Sequence, residues 1–268
     1  MSRKSSRSAA KVYHLASQSQ QQSYPNHDDH SKQNFHANPK SLRIRLEELI
    51  TVDPLTDNQR LFFDLYDQGE TFIVLHGVAG SGKSYVSLYK AFEEVLDKSS
   101  IYKKVIIIRS ATTSREVGHL PGSLEDKTAI LTQPYINICS SLFNRKDAYD
   151  RLVEQKYLEF ISTSYIRGLT FDDSIIIVDE CQNLGWHELS TICGRIGVNS
   201  KIMFCGDYRQ NDLIMRNNDK SGLIKFLTIA EKMESFRRVE FEIDDIVRSG
   251  LVKEWIIACT ESGIHPSD

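Results

Sequence analysis

The chain has 268 residues, 40 % of them hydrophobic, and a formal net charge of −3, which suits one large domain or a medium-sized domain with a tail. The weak negative charge argues mildly against a protein that coats DNA through charge alone, although a basic groove on an acidic body is compatible with it. Five cysteines without a Cys-x-x-Cys spacing, and the lack of a membrane-length apolar run or signal peptide, predict a soluble cytoplasmic protein without a disulfide framework or zinc site.

Residues 1–40 differ in composition from the rest of the chain. They are rich in Ser, Gln, Asn and His and contain almost nothing to bury, which predicts a disordered polar tail. Residues 41–268 form the predicted globular domain. Within it, SLRIRLEELI (41–50) has a helical pattern, and TDNQRLFFDLYDQG (56–69) is typical of a helix that begins at Thr56 or Asp57.

Continuous apolar runs recur along the domain, as expected for strands that are covered on both faces. Segments with helical character separate these runs, for example residues 84–98 and 220–235. Alternating strands and helices predict an α/β fold with a doubly wound, mainly parallel sheet. The apolar runs are residues 71–75, 104–108, 174–178, 201–205 and 237–243.

The first of these strands leads into a phosphate-binding loop. Gly77-x4-Gly82-Lys83-Ser84 follows a strand and precedes a helix, which is the structural context that the P-loop pattern requires. Lys83 is expected to bridge the β- and γ-phosphates of a nucleotide, and Ser84 to bind Mg²⁺. Backbone N–H groups are expected to surround the phosphates. The loop consists of Gly77, Val78, Ala79, Gly80, Ser81, Gly82, Lys83 and Ser84.

A second apolar strand ends in two carboxylates, Asp179 and Glu180. An acid at this position is expected to hold Mg²⁺ through its water shell, which assigns Asp179 to the metal. A second carboxylate directly after it suits a general base that polarises water, the role expected of Glu180. The pair therefore favours nucleotide hydrolysis over phosphoryl transfer to a metabolite.

A third strand, KIMFC (201–205), is followed by Asp207 and Gln210. If this strand lies between the other two, Gln210 can contact the γ-phosphate, because an amide both donates to phosphoryl oxygens and orients water. Taken alone, Asp207 as a turn cap and Gln210 as a surface residue would be the simpler interpretation. The two preceding strand ends favour a sensor.

The order P-loop, DE-x-Q, GD-x-x-Q resembles the first motor domain of superfamily-one helicases. In more detail, the sequence resembles the PhoH family of P-loop ATPases, and the resemblance extends over residues 56–260. It implies a RecA-like P-loop fold that binds ATP and Mg²⁺. Short single-domain forms of this kind are similar to those of bacteriophages, which would place the protein in the host cytoplasm. The segments that carry the resemblance are 118–127, 165–183, 194–213, 221–223 and 244–252.

The resemblance also implies two roles outside these motifs. Gln59 corresponds to a glutamine that reads the adenine edge, although a glutamine on a helix surface is an equal alternative. Arg248 resembles an arginine finger, with a surface ion pair as the alternative. No second motor domain follows in this sequence, so we expect Arg248 to reach the ATP of a neighbouring subunit in a homo-oligomeric ring, with a hexamer as the first expectation.

Other arginines have less definite assignments. Arg167 and Arg195 match family positions and would either contact phosphate, line a subunit interface or form structural salt bridges. Nucleic-acid phosphates are typically held by groups such as Arg109, Arg115 and the nearby hydroxyls of Thr112 and Thr113. The sequence around these residues, however, departs from the family pattern.

The leading functional hypothesis is therefore an ATP hydrolase that acts on RNA or single-stranded DNA. A nucleotide switch that assembles a protein partner without nucleic acid is the alternative. A small-molecule kinase is disfavoured by Glu180 and Gln210. We expect neither strand unwinding by one motor core nor nuclease activity.

Overall fold

The computed structural model describes residues 43–110, 124–207 and 222–262; the predicted tail (1–40) lies outside them. The strands are β1 (Phe72–Gly77), β2 (Lys104–Arg109), β3 (Leu158–Ser162), β4 (Ser174–Val178), β5 (Lys201–Gly206) and β6 (Phe236–Phe241). The helices are α1 (Asp57–Asp67), α2 (Lys83–Val95), α3 (Leu124–Leu142), α4 (Ala148–Glu154), α5 (Trp186–Cys193), α6 (Leu223–Ala230) and α7 (Gly250–Glu261). None of the described helices combines the length and the apolarity needed to cross a membrane.

The six strands form one sheet in the order β3-β2-β4-β5-β1-β6. Every neighbouring pair is parallel, which confirms the predicted fold class. Strand β5 lies between β1 and β4, which meets the condition on which the predicted role of Gln210 depends. Because parallel strands end at the same edge, this order brings the ends of β1, β4 and β5 together, where open α/β sheets bind their ligands.

Successive strand residues point to opposite sides of the sheet, and helices cover both of these sides. On one face, residues such as Leu75 and Ile107 pack against α1–α4. On the other, residues such as Val74 and Phe204 pack against α5 and α6. This double cover explains why the central strands have continuous apolar sequences.

The structure differs from the sequence prediction at two elements. Segment 41–50 is not a regular helix: its described part contains one 3₁₀ turn, Leu46–Glu48, and the N–H of Ile50 donates to Leu142 O on α3 at 2.9 Å. Leu46 in this turn and Leu49 directly after it are partly buried against the core. Strand β3 was not predicted, because only Leu158 and Ile161 of this edge strand are buried and charged Glu159 interrupts the apolar run.

An ion pair at the amino end of β5, opposite the edge where the ends of β1, β4 and β5 meet, provides a test of the packing. The Lys201 ammonium is buried and lies 3.0 Å from Glu94 Oε2, which also accepts a hydrogen bond from Tyr66 Oη at 2.6 Å. Glu94→Ala would leave Lys201 buried and unpaired, so we expect a loss of about 3 kcal/mol in the free energy of unfolding. Urea denaturation measures this loss.

The matched control for this prediction is Glu159→Ala. Glu159 pairs with Lys104 at 2.6 Å, but both side chains are largely exposed. Removing an exposed partner is expected to change the unfolding free energy by less than about 1 kcal/mol. Equal losses in the two variants would contradict the assignment of Lys201 and Glu94 as the stabilising pair.

Candidate active site

The P-loop between β1 and α2 requires glycine at its first position. Gly77 has a φ of +125°, and a Cβ atom there would lie 1.9 Å from the carbonyl oxygen of Phe241 on β6. Gly82 has a φ of +82° and directly precedes α2, a conformation that side chains disfavour. The loop is therefore pressed against β6, and its turn opens the helix whose N-terminus is suited to phosphate.

Gln59 on α1 contacts the backbone of the P-loop through its side chain. Its side chain is 2 % exposed, so the alternative of a glutamine on a helix surface is wrong. The amide Nε2 donates to Ser81 O at 2.9 Å, and Oε1 accepts from the N–H of Leu55 at 2.9 Å. Each amide atom keeps capacity for one more hydrogen bond, so contact with adenine stays a prediction.

Arg248 also lies against this loop. Its Cγ is 3.0 Å from the place where a Cβ on Gly80 would lie, and the N–H of the preceding Val247 donates to Gly80 O at 3.1 Å. The residue is exposed, and among the described carboxylates none pairs with it. The predicted finger therefore stands beside the P-loop of its own chain.

Lys83 begins α2 and turns back over the P-loop. Its ammonium donates to Val78 O at 2.7 Å and to Ser81 Oγ at 3.1 Å. It also pairs with Asp207 Oδ1 at 2.6 Å. Because Lys83 is 5 % exposed, its charge is held at the ends of β1 and β5. A nucleotide phosphate would compete with the Asp207 carboxylate for this ammonium.

Asp179 accepts hydrogen bonds on both carboxylate oxygens. Ser84 Oγ donates to Oδ1 at 2.7 Å, which joins the end of β4 to the P-loop. Tyr135 Oη on α3 donates to Oδ2 at 2.8 Å. Both Asp179 and Tyr135 are almost fully buried, so the carboxylate is fixed in position although 95 residues separate it from Ser84.

Oxygen donors of this kind fit Mg²⁺. A carboxylate and a hydroxyl at the start of the P-loop helix are hard ligands, and Mg²⁺ usually takes one or two such protein groups together with water and substrate phosphates. Within the described ranges, no group of three or more His, Cys, Asp or Glu side chains is arranged to hold a metal ion. Ser84 and Asp179 would thus hold Mg²⁺ only together with a bound nucleotide.

Glu180 directly follows β4 in an unusual backbone conformation. Its φ of +53° is left-handed, a strain that is common at functional sites. Its Oε2 accepts from Gln182 Nε2 at 2.6 Å, and Oε1 lies 3.9 Å from Arg109 Nη2. Burial, then the charges of Asp179 and Asp207, raise the pKa of the Glu180 carboxyl, while Arg109 opposes this change. A raised pKa suits a proton acceptor.

Gln182 connects the ends of β4 and β5. Besides donating to Glu180, it accepts from the N–H of Asp207 through Oε1 at 3.2 Å. Both ends of this amide are therefore used to join the candidate base to the strand that precedes Gln210. Gln210 lies outside the described residues, so its contact with a γ-phosphate stays a prediction.

The remaining arginines occupy different surroundings. Burial opposes the charge of Arg109, but Tyr135, Glu180 and Asp179 raise its pKa, so it lies at the acidic site. Arg167 is exposed and donates to His187 Nε2 at 2.9 Å. Arg195 has a buried Nε without a hydrogen-bond partner among the described residues. The other predicted phosphate contacts, Arg115, Thr112 and Thr113, lie outside the described residues.

Sequence reasoning missed two residues at this site. Gln182 was part of the DE-x-Q pattern but was assigned no role, and its spacing from Glu180 could have indicated one. Tyr135 lies in the middle of α3, within TQPYIN, where no motif indicates a contact with Asp179. Only the packing of α3 on the sheet brings its hydroxyl to the carboxylate.

Comparison with known proteins identifies the family. Residues 51–260 match the family model described as PhoH-like protein. The chain is 31 % identical over 229 residues to a PhoH-like protein of Mycobacterium leprae (strain TN), covering 84 % of this chain and 63 % of that protein. It is 32 % identical over 183 residues to a PhoH-like protein of Bacillus subtilis (strain 168), covering 68 % and 56 % respectively. It thus spans less than two thirds of these relatives' length.

Among solved structures, the large terminase from a thermophilic bacteriophage aligns with a TM-score of 0.46 and 11 % identity, over 76 % of this chain and 49 % of the terminase. This likeness is too remote to bear on function. The family match covers most of the chain and includes the P-loop, the Asp179–Glu180 pair and Gln210. The chain belongs to the PhoH-like family.

Proposed function

We propose that the chain is a Mg²⁺-dependent ATP hydrolase. The observation that carries this proposal is the convergence of the P-loop residue Lys83 with Asp179 and Glu180 at the end of β4, two segments that are distant in the chain. Asp179 bonds to the P-loop hydroxyl of Ser84 at 2.7 Å, and Glu180 stands next to it with a raised pKa. A phosphate-binding loop beside a metal-suited carboxylate and a candidate base is the arrangement that nucleotide hydrolysis needs.

Each residue has a defined task in this proposal. The P-loop N–H groups hold the phosphates, and Lys83 neutralises their charge after leaving Asp207. Bound Mg²⁺ supplies Lewis-acid stabilisation of the phosphoryl oxygens. Glu180 accepts a hydrogen bond from the attacking water and polarises it. Gln210 contacts the γ-phosphoryl group and transmits its loss through the β5 segment.

We further propose that hydrolysis is coupled to RNA or single-stranded DNA, in a homo-oligomer for which a hexameric ring is the first model. The resemblance to helicase motor domains supports the coupling. Arg248 lies beside its own P-loop, which favours action within one subunit instead of the expected action across an interface. The ring is therefore proposed by analogy with related motors alone. Sedimentation with and without ATP measures the assembly state.

Phosphate release tests the coupling against the alternative, a switch for protein assembly. ATP turnover is measured alone, with poly(U) and with oligo(dT). Coupling predicts stimulation by more than a few-fold that fades as salt rises, because phosphate contacts release counterions. Equal turnover with every polymer would instead support the switch.

Tyr135→Phe tests the support of the metal ligand. The change keeps the buried ring but removes the hydroxyl that donates to Asp179 Oδ2. Loss of a hydrogen bond that orients a ligand typically costs about 10-fold in metal affinity, so we expect the Mg²⁺ concentration for half-maximal stabilisation of the ATP complex to rise about 10-fold. Thermal unfolding with ATP and graded Mg²⁺ measures this shift without turnover.

Tyr149→Phe is the matched control for this experiment, because Tyr149 on α4 is a partly buried tyrosine that lies outside the site. Its Mg²⁺ dependence should equal that of the wild type. An unchanged Mg²⁺ dependence in Tyr135→Phe would show that Asp179 needs no support from α3.

A further inference from the structure

A polar cleft lies beyond β3, away from the P-loop. It has a volume of about 270 Å³ and is bordered by the Thr163–Tyr165 turn and the first half of α5. Three hydroxyl groups, one arginine, one histidine and one glutamate contribute to its lining: Thr163, Ser164, Thr191, Arg167, His187 and Glu188. Because the turn directly follows a parallel strand, the cleft opens at the same edge of the sheet as the candidate active site.

The formal charges of Arg167 and Glu188 cancel in the cleft, but Arg167 is a cation that an anion can contact. Arg167 is exposed and has no carboxylate partner within the part of the chain that the structure describes. It donates to His187 Nε2 at 2.9 Å, which orients the guanidinium along the cleft wall. Glu188 is the acidic residue of the lining, and its Oε2 accepts from the N–H of Gly185 at 3.0 Å. A cation and several hydroxyls are thus available for phosphate oxygens.

An exposed aromatic side chain beside the cleft favours a polynucleotide over free phosphate. Tyr165 lies between Ser164 and Arg167 in the chain and is 53 % exposed. Trp186 precedes His187 but packs against the core, and the Lys225 ammonium lies 4.4 Å from its ring centroid, so Tyr165 is the ring that a base can reach. Single-stranded nucleic acid is held by aromatic rings that stack on bases, next to cations that follow the backbone.

The cleft is connected to the candidate base through a short segment. Glu188 caps α5 at Gly185, two residues after the Cys181–Asn183 turn. That turn carries Gln182, which contacts Glu180 at 2.6 Å and the N–H of Asp207. At the other side, Trp186 packs closely on Gly222: a Cβ atom added to Gly222 would lie 2.1 Å from the backbone nitrogen of Trp186. Residues 182–186 are therefore the direct chain connection between the cleft and the contact with Glu180.

We propose that this cleft holds the phosphodiester backbone of single-stranded nucleic acid through Arg167, and that its occupancy reaches Glu180 through residues 181–187. The inference rests on the proposed coupling to RNA or single-stranded DNA. It assigns that coupling to a defined surface and to a defined connection.

Fluorescence anisotropy with labelled 20-nucleotide rU and dT oligonucleotides tests the cleft. We expect Arg167→Gln to weaken binding of the preferred oligonucleotide about 10-fold and to reduce the salt dependence by about one phosphate contact. Arg151→Gln is the control, since Arg151 on α4 pairs with Asp147 and Glu154 on the surface. It should keep wild-type affinity and salt dependence.

Phosphate release tests the connection to Glu180. At an oligonucleotide concentration that saturates the wild type but only partly occupies Arg167→Gln, the variant should show a stimulation that is reduced in proportion to its lower occupancy. Wild-type affinity in Arg167→Gln, a loss of affinity with unchanged salt dependence, or full stimulation at that concentration would overturn the inference and leave the proposed coupling intact. A wild-type protein that hydrolyses ATP but binds neither oligonucleotide would overturn both.

Discussion

Replacing Glu180 by glutamine is expected to lower ATP hydrolysis by about 100-fold to 10,000-fold, the range of general-base contributions. Glutamine keeps the size of the side chain and can still contact Gln182, but it cannot accept a proton from water. ATP binding should be retained, because Lys83, Ser84 and Asp179 are unchanged. Phosphate release under single-turnover conditions measures the rate, and nucleotide titration measures the affinity.

Glu159→Gln provides the control for Glu180→Gln. Glu159 is a carboxylate on the edge strand β3 that pairs with Lys104 on the surface. Its replacement should leave both hydrolysis and affinity at wild-type values. If Glu180→Gln kept more than about a tenth of the wild-type rate, Glu180 would not be the base.

Replacing Lys83 by alanine is expected to weaken ATP binding about 100-fold and to abolish hydrolysis. The change removes the ammonium that faces the phosphates and leaves the Asp207 carboxylate, which lies 2.6 Å from that ammonium in the wild type, close to their negative charge. Truncating one member of a buried charge pair typically costs about 2–5 kcal/mol in binding, and 100-fold corresponds to about 2.7 kcal/mol. Isothermal titration with ATP and Mg²⁺ measures the affinity.

The double variant Lys83→Ala/Asp207→Asn separates the two effects. Because it also removes the negative charge of Asp207, it should bind ATP more tightly than Lys83→Ala alone, although more weakly than the wild type. No recovery would show that Asp207 does not oppose the phosphates. Lys104→Ala, a change at an exposed ion pair, should bind ATP as the wild type does.

Local sequence patterns were sufficient for the central sheet and the P-loop. Strands such as β4 are buried on both faces, so their apolar runs are visible in the sequence. Strand β3 was not predicted because an edge strand needs only about half its residues to be apolar, so its sequence lacks a continuous apolar run. Residues 43–50 show the opposite case, where a helical spacing of apolar residues does not produce a helix. They contain a single 3₁₀ turn, in which Ile44 before the turn is buried and Leu46 and Leu49 are partly buried against the core.

The candidate site was predictable only where a strand end carries its own motif. Asp179 and Glu180 follow β4 directly, so the sequence placed them at the sheet edge. The buried position of Gln59 depends on how α1 packs beneath the P-loop, and the contact of Tyr135 with Asp179 depends on how α3 packs on the sheet. Such contacts between distant segments leave no local pattern.

The structure changes the expected target of Arg248 but leaves its assignment as a candidate arginine finger in place. The sequence indicated a finger and suggested a neighbouring subunit as its target. In the fold, the turn Ile243–Asp245 and the start of α7 bring Arg248 back over Gly80 of its own loop. Val78, Ile246 and Ile256 form a small apolar cluster there, which holds the segment in place.

A structure with Mg²⁺ and a non-hydrolysable ATP analogue tests the central claim most directly. The account predicts that Lys83 Nζ exchanges Asp207 for the β- and γ-phosphates, while Asp179 and Ser84 face the metal and Gln210 lies within hydrogen-bonding distance of the γ-phosphoryl group. An analogue bound elsewhere, with Lys83 still paired to Asp207 and Gln210 remote from the phosphates, would contradict it.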